Sequence, residues 1–62
     1  MPLYEADRID LGKSRGKATF EASNDKTAIM EAEEGLDWKV SWVEVYHIVT
    51  LSDGAKVKRR IN

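Results

Sequence analysis

Residues 38–51, WKVSWVEVYHIVTL, decide the fold of this 62-residue chain. Valine, tryptophan, tyrosine, isoleucine and threonine dominate the stretch, and these residue types favour β-strands. We therefore predict one long strand, or two strands that meet at a bend, with residues 42–50 as the central part. Large apolar side chains stand on both parities of the stretch, so its periodicity does not show which face is buried.

A hairpin is predicted after this strand. Asp53-Gly54 stands between two alternating apolar runs, and an Asp-Gly pair in that setting is a strong short-range hairpin signal. The run after the pair alternates Val57 with basic residues. It predicts a last strand over residues 55–60.

The segment before the long strand has the pattern of an amphipathic helix. Its apolar stripe recurs at helical spacing and consists of Ala28, Ile29, Ala32 and Leu36. Ser23 or Asn24 can cap the first turn, and Gly35 can take the left-handed conformation that often ends a helix. These signals predict a helix over residues 25–35.

The first 22 residues predict a second hairpin. Alternating apolar residues predict a strand over 18–22, and the glycines in 12–16 mark a turn before it. Residues 3–11 have no cleanly apolar parity. We expect either a β-bulge near Asp7-Arg8 that switches the facing of the strand, or an edge strand with mixed faces.

The predicted order is therefore β-β-α-β-β in a single α+β domain over residues 1–62. One helix packed on a mainly antiparallel four-stranded sheet is the economical way to bury an apolar stripe of this size. The connection through the helix allows a parallel pair between strands of the two hairpins. We expect the residues of the core to include Phe20, Ile29, Ala32 and Val45.

Composition excludes several classes of function. The chain has no cysteine, which excludes a disulfide framework, a thiolate metal site and a cysteine nucleophile. Its single histidine, His47, lacks the partners that acid–base or metal chemistry requires. A chain of 62 residues is also short for enclosing a pocket of the usual size. We expect no enzymatic activity, no catalytic residue, no metal and no cofactor.

The expected location follows from apolar patterning. No stretch approaches the roughly 18 apolar residues of a membrane span. The N-terminal residues carry charge from Glu5 onward and lack the apolar region of a signal peptide. We therefore expect a cytoplasmic protein with no membrane association.

Three aromatic residues, Trp38, Trp42 and Tyr46, stand at spacing four and share one strand parity. One interpretation places them in the core under the helix, because a small core needs large side chains. The other leaves them on the sheet face that a single helix cannot cover, and an uncovered strip of this size is typical of an interface. On that interpretation the chain is a small non-catalytic interaction module. We expect a homodimer formed through the sheet, with another protein as an alternative partner.

Basic residues concentrate in two short segments, although the net charge is only −1. The candidate phosphate-binding residues are Lys13, Arg15 and Lys17 in the turn 13–17, and Lys56, Lys58 and Arg60 in the strand 56–60. If one surface holds both segments, it could bind phosphates. A nucleic-acid-binding accessory protein is therefore the alternative function. The structural interpretation is that lysines on edge strands block edge-to-edge aggregation.

Overall fold

A computed structural model describes residues 1–62 and contains one four-stranded sheet with one helix packed on it. The elements in chain order are β1 (Leu3–Asp10), β2 (Lys13–Glu21), α1 (Asp25–Glu33), β3 (Ser41–Thr50) and β4 (Lys56–Arg60). The strand order in the sheet is β2-β1-β3-β4. The predicted β-β-α-β-β order of an α+β fold is thus confirmed.

The pairing at the centre of the sheet is antiparallel. β1 pairs with β3 in one unbroken antiparallel register, from Leu3 opposite Ile48 to Asp10 opposite Ser41. β2 and β3 run in the same direction but are not neighbours, because the connection through α1 crosses over β1. The parallel pair that the sequence allowed does not form.

The irregularity predicted for the first strand lies in the second. The register of β1 with β2 shifts between Asp7 and Ile9, so that Arg15 and Gly16 stand opposite Arg8. Gly16 has a φ of 104°, in a region that side chains rarely adopt. β1 alternates without a break and occupies a central position. Both predictions for the first strand are therefore wrong: its facing does not switch near Asp7-Arg8, and it is not an edge strand.

The turn between β1 and β2 is tighter than predicted. Asp10 pairs with Lys13, which leaves only Leu11 and Gly12 to connect the strands. Both have positive φ, 52° and 79°, as a type I′ turn requires. β2 consequently begins well before residue 18, its predicted start.

The helix forms where the apolar stripe predicts it. Asn24 is the N-cap, and its side chain accepts a hydrogen bond of 2.8 Å from the N–H of Thr27. This bond satisfies one of the amide groups that lack a partner within the helix. The helix ends at Glu33, slightly before the predicted end, and Gly35 follows with a φ of 77°.

The core is small and lies between α1 and the middle of the sheet. Its buried cluster consists of Tyr4, Ala22, Ala28, Val43 and Val45. Phe20, Ile29 and Ala32 pack against this cluster but stay partly exposed, so Val45 alone of the four predicted core residues is fully buried. Only 7 of 62 residues are buried, which makes the core thin even for a small domain.

The molecule is elongated because the β3–β4 hairpin extends beyond the helix. The radius of gyration is 12.2 Å, whereas a compact chain of this length would have about 10.6 Å. Val49 and Val57 face each other across the hairpin on the helix side, and they are 37% and 45% exposed. The helix therefore covers only part of one sheet face.

Candidate interaction face

No element packs on the sheet face opposite α1, which we call the open face. Tyr4 and Val45 belong to the core cluster under the helix. Side chains alternate along a strand. The residues of β1 and β3 at the positions that alternate with Tyr4 and Val45 therefore point to the open face. The large apolar residues assigned to it in this way are Leu3, Ile9, Trp42, Tyr46 and Ile48.

These five residues, which we call the apolar strip, lie along the two central strands, and Asp7 and Glu44 separate Ile9 and Trp42 from the other three. Trp42 is 42% exposed, and Ile9, directly opposite it in the register, is 9% exposed although it lies outside the core cluster. The aromatic residues of β3 are thus not under the helix, which corrects the interpretation that placed them in the core. Sequence reasoning missed Leu3 and Ile9 as part of the strip, because the first strand has no cleanly apolar parity.

Trp38 does not belong to this strip. Residues 37–40 form a turn in which Asp37 accepts hydrogen bonds from the backbone of the residues that follow. Trp38 lies in the turn, 62% exposed, in a shallow groove of about 470 Å³ at the end of α1. Of the three aromatic candidates for the interface, only Trp42 and Tyr46 share a face.

Glu44 holds both aromatic rings of the strip. Its carboxylate accepts hydrogen bonds from the Tyr46 hydroxyl at 2.9 Å and from the Trp42 Nε1 at 3.4 Å. The bond to Glu44 raises the pKa of Tyr46, and burial acts in the same direction. The Arg60 guanidinium lies 3.8 Å from Glu44 Oε2, the oxygen that accepts the hydrogen bond from Trp42. Rings fixed in this way lose less conformational freedom when a partner binds them.

The charged side chains of the open face balance each other. Its basic residues are Lys17, Lys56, Lys58 and Arg60. Its acidic residues are Glu5, Asp7, Glu21 and Glu44. β4 supplies three of the four bases, whereas the acids lie on the other three strands. The face therefore carries no net charge, but the charge is sorted across it.

The two basic segments lie at opposite edges of the sheet, on β2 and β4. Lys13 and Arg15 are on the helix side, whereas Lys17 is on the open face. Three of the six candidate phosphate-binding residues, Arg15, Lys58 and Arg60, form ion pairs within the chain. The fold therefore does not gather the six residues into one surface.

Asp10 joins the ends of three strands. Its carboxylate accepts hydrogen bonds from the buried Ser41 hydroxyl and from the Arg8 Nε, and the Arg15 Nε lies 3.2 Å away. The hydrogen bond from Ser41 lowers the pKa of Asp10, and both guanidinium groups act in the same direction against the effect of burial. Arg15 is therefore engaged in an ion pair with Asp10 of its own chain.

A second polar cluster connects the start of α1 to the sheet. The Tyr4 hydroxyl donates a hydrogen bond of 2.8 Å to Asp25, and the Tyr4 ring stacks on Phe20 and His47. Burial raises the pKa of Tyr4, and the bond to Asp25 adds to the effect. His47 is half-buried at the edge of the core, and its buried Nδ1 has no hydrogen-bond partner.

Two further observations concern metals and membranes. No group of three or more His, Asp or Glu side chains is placed to hold a metal ion. The structure contains no helix of the length and apolar character that a membrane span needs.

Comparison of the chain with protein-family models, with curated proteins and with solved structures finds no match.

Proposed function

We propose that this protein is a small non-catalytic interaction module that forms a homodimer through the open face. The observation that carries the proposal is the apolar strip with Trp42 at 42% exposure, which no other element covers. Burying a large apolar side chain contributes about 1.5–3 kcal/mol. A two-fold dimer brings two copies of the strip together with a single self-complementary surface.

The thin core supports this proposal. With 7 of 62 residues buried, the chain gains little hydrophobic stabilisation by itself. A domain of about 60 residues is marginal even when it buries the usual share of its surface. Face-to-face packing of two sheets would add a second apolar layer about 10 Å thick. The assembly would then have helices outside and the two sheets inside.

The size of the open face is sufficient for a weak dimer. Four strands at ~4.8 Å spacing and about eight residues at ~3.3 Å rise make a face of roughly 19 by 26 Å. Two such faces bury about 1,000 Å² before the relief of the side chains is counted, which reaches the lower limit of specific interfaces. Interfaces at this limit are typical of weak, transient complexes, so we expect a dimer that dissociates on dilution.

The alternative proposal, a nucleic-acid-binding accessory protein, has less support. The basic segments lie on opposite edges, and half of the candidate residues are already ion-paired. Phosphate-driven binding weakens steeply as the salt concentration rises, whereas association through apolar faces does not. A salt series therefore separates the two functions.

The cytoplasmic location stays a prediction from the sequence.

The mass of the protein in solution tests the proposal. Sedimentation equilibrium at tens to hundreds of micromolar should give about twice 7.0 kDa. Trp42→Glu should shift the mass to that of the monomer, because it buries a charge in the apolar strip. Trp38→Glu is the matched control, since Trp38 is also exposed but lies off the open face, and it should leave the dimer intact. A wild-type protein that stays monomeric would refute the proposal.

A further inference from the structure

The geometry points to one particular arrangement of this dimer. The two open faces pack with the two-fold axis parallel to the strands, so that Glu21 of each copy meets Lys58 of the other. This inference rests on the proposed self-association and adds the orientation of the second copy. It also identifies the ion pairs that select that orientation.

Charge decides between the two aligned ways of packing the faces. A two-fold axis across the strands would lay β4 on β4 of the second copy, so that the open-face charges of both facing strands would all be basic. Like charges brought together in this way are strongly unfavourable. An axis parallel to the strands instead lays β4 on β2 of the second copy, and β1 on β3. The segregation of bases on β4 therefore favours the parallel axis.

The strand registers show which residues meet. One row across the open face reads Glu21, Leu3, Ile48, Lys58. Rotation about an axis parallel to the strands reverses this row over itself. Glu21 then stands over Lys58, and Leu3 stands over Ile48. The same two contacts recur on the other side of the axis, so the row is complementary in charge and in apolar character.

The twist between packed sheets shifts this pair along the strand but keeps Glu21 over the basic residues of β4. Aligned sheets cross at about 30°, which displaces residues at the sheet edges by roughly 4 Å along the strand. Residues on one face of β4 are about 7 Å apart and all basic, so this displacement places Glu21 between Lys58 and the next basic residue of the strand. The long lysine side chain spans the remaining displacement.

Both members of this pair are available for a contact between copies. Glu21 is exposed and forms no ion pair within the chain. Lys58 contacts Glu5 with its Nζ at 3.0 Å, and its side chain is still 46% exposed. Lys58 can therefore bridge Glu5 of its own chain and Glu21 of the second copy.

Another row across the open face, which reads Lys17, Asp7, Glu44, brings acidic groups of the two copies together. Asp7 of one copy stands over Glu44 of the other. Lys17 is directly opposite Asp7 in the register, and Arg60 lies 3.8 Å from Glu44. Each carboxylate thus has a base beside it in the interface: Lys17 for Asp7, and Arg60 of the adjacent row for Glu44.

A charge-reversal cycle tests the arrangement. At low salt, Glu21→Lys and Lys58→Glu should each raise the dissociation constant of the dimer by about 10-fold, since each changes two symmetry-related pairs from attractive to repulsive. The double variant restores opposite charges and should bind within about 3-fold of wild type. Lys26→Glu makes the same change of net charge on α1, where Lys26 is exposed and forms no ion pair within the chain. It should have a clearly smaller effect than Lys58→Glu, because it lies off the open face.

Several outcomes would overturn the arrangement. A Lys58→Glu dimer as tight as wild type or tighter would indicate the axis across the strands, where the substitution relieves repulsion. A double variant as weak as the single variants, or a Lys26→Glu effect as large as that of Lys58→Glu, would also exclude the pairing. In these cases monomeric Trp42→Glu would still support the open face as the interface. A monomeric wild type would remove both proposals, and circular dichroism of each variant checks that it is folded.

Discussion

Val45 and Val49 provide a matched test of where the helix lies. Both are on β3 and both face the helix side of the sheet, but Val45 is fully buried and Val49 is 37% exposed. Val45→Ala removes the equivalent of two buried methylene groups, or about 1.6 kcal/mol of transfer free energy. The residual cavity brings the expected loss to about 2–3 kcal/mol. Val49→Ala should cost less than about 1 kcal/mol, because its side chain already meets water.

Thermal unfolding followed by far-ultraviolet circular dichroism measures the difference. A loss of 2–3 kcal/mol corresponds to a decrease of roughly 10–20 °C in the Tm of a domain this small. The Val49→Ala decrease should be about 5 °C or less on the same scale. All three proteins are compared at one concentration, because dimerisation raises the apparent stability with concentration. Equal decreases for the two variants would show that the helix does not cover Val45, and the assignment of the open face would then be wrong.

Three further predictions concern single groups. Leu11→Asn should stabilise the fold by ~1 kcal/mol in thermal unfolding, because asparagine tolerates positive φ better than leucine; a loss of stability would contradict the type I′ turn. The lowered pKa of Asp10 contributes stability that is complete above the ordinary pKa of about 4 and is lost as the pH falls through the folded value. Asp10→Asn should therefore weaken the dependence of urea unfolding on pH between about 2 and 5, and an unchanged slope would count against the Ser41 contact. Tyr4 and Tyr46 are the only tyrosines, and both have a raised pKa. Their phenolate absorbance should therefore appear at higher pH in the native protein than in denaturant. The same titration midpoint in the native and the denatured protein would exclude both hydrogen bonds.

The elements of the fold could be predicted from local signals. The helix has a stripe at helical spacing, a capping asparagine and a glycine just beyond its end, so three independent features indicate the same segment. The Asp-Gly pair likewise indicates the last hairpin. These signals depend on neighbouring residues only, which is why the order of the elements is correct.

The facing of the strands could not be predicted because it depends on distant partners. β3 carries Val43 and Val45 on one parity and Trp42 and Tyr46 on the other, and both sets are apolar enough for a core. The position of α1 decides between them. Its small alanine, Ala28, packs closely against the sheet together with the valines.

Two local misinterpretations have specific causes. Trp38 continues the alternation of the strand, but the turn held by Asp37 separates it from β3. The glycines at 12 and 16 suggested one long turn, whereas Leu11 takes a left-handed conformation and Gly16 forms a bulge inside β2. A leucine at positive φ is uncommon, so the sequence carries no signal for the tight turn.

Fluorescence of Trp42 tests the central claim, burial of the open face between two copies, most directly. In the Trp38→Phe variant, Trp42 is the only tryptophan, since the chain has two. We predict that its emission is blue-shifted and protected from acrylamide at high protein concentration. On dilution it should shift to the red, with the same midpoint as the change in mass from sedimentation. Emission and quenching that do not change with concentration, while the mass still doubles, would show that the dimer forms elsewhere and would contradict the account.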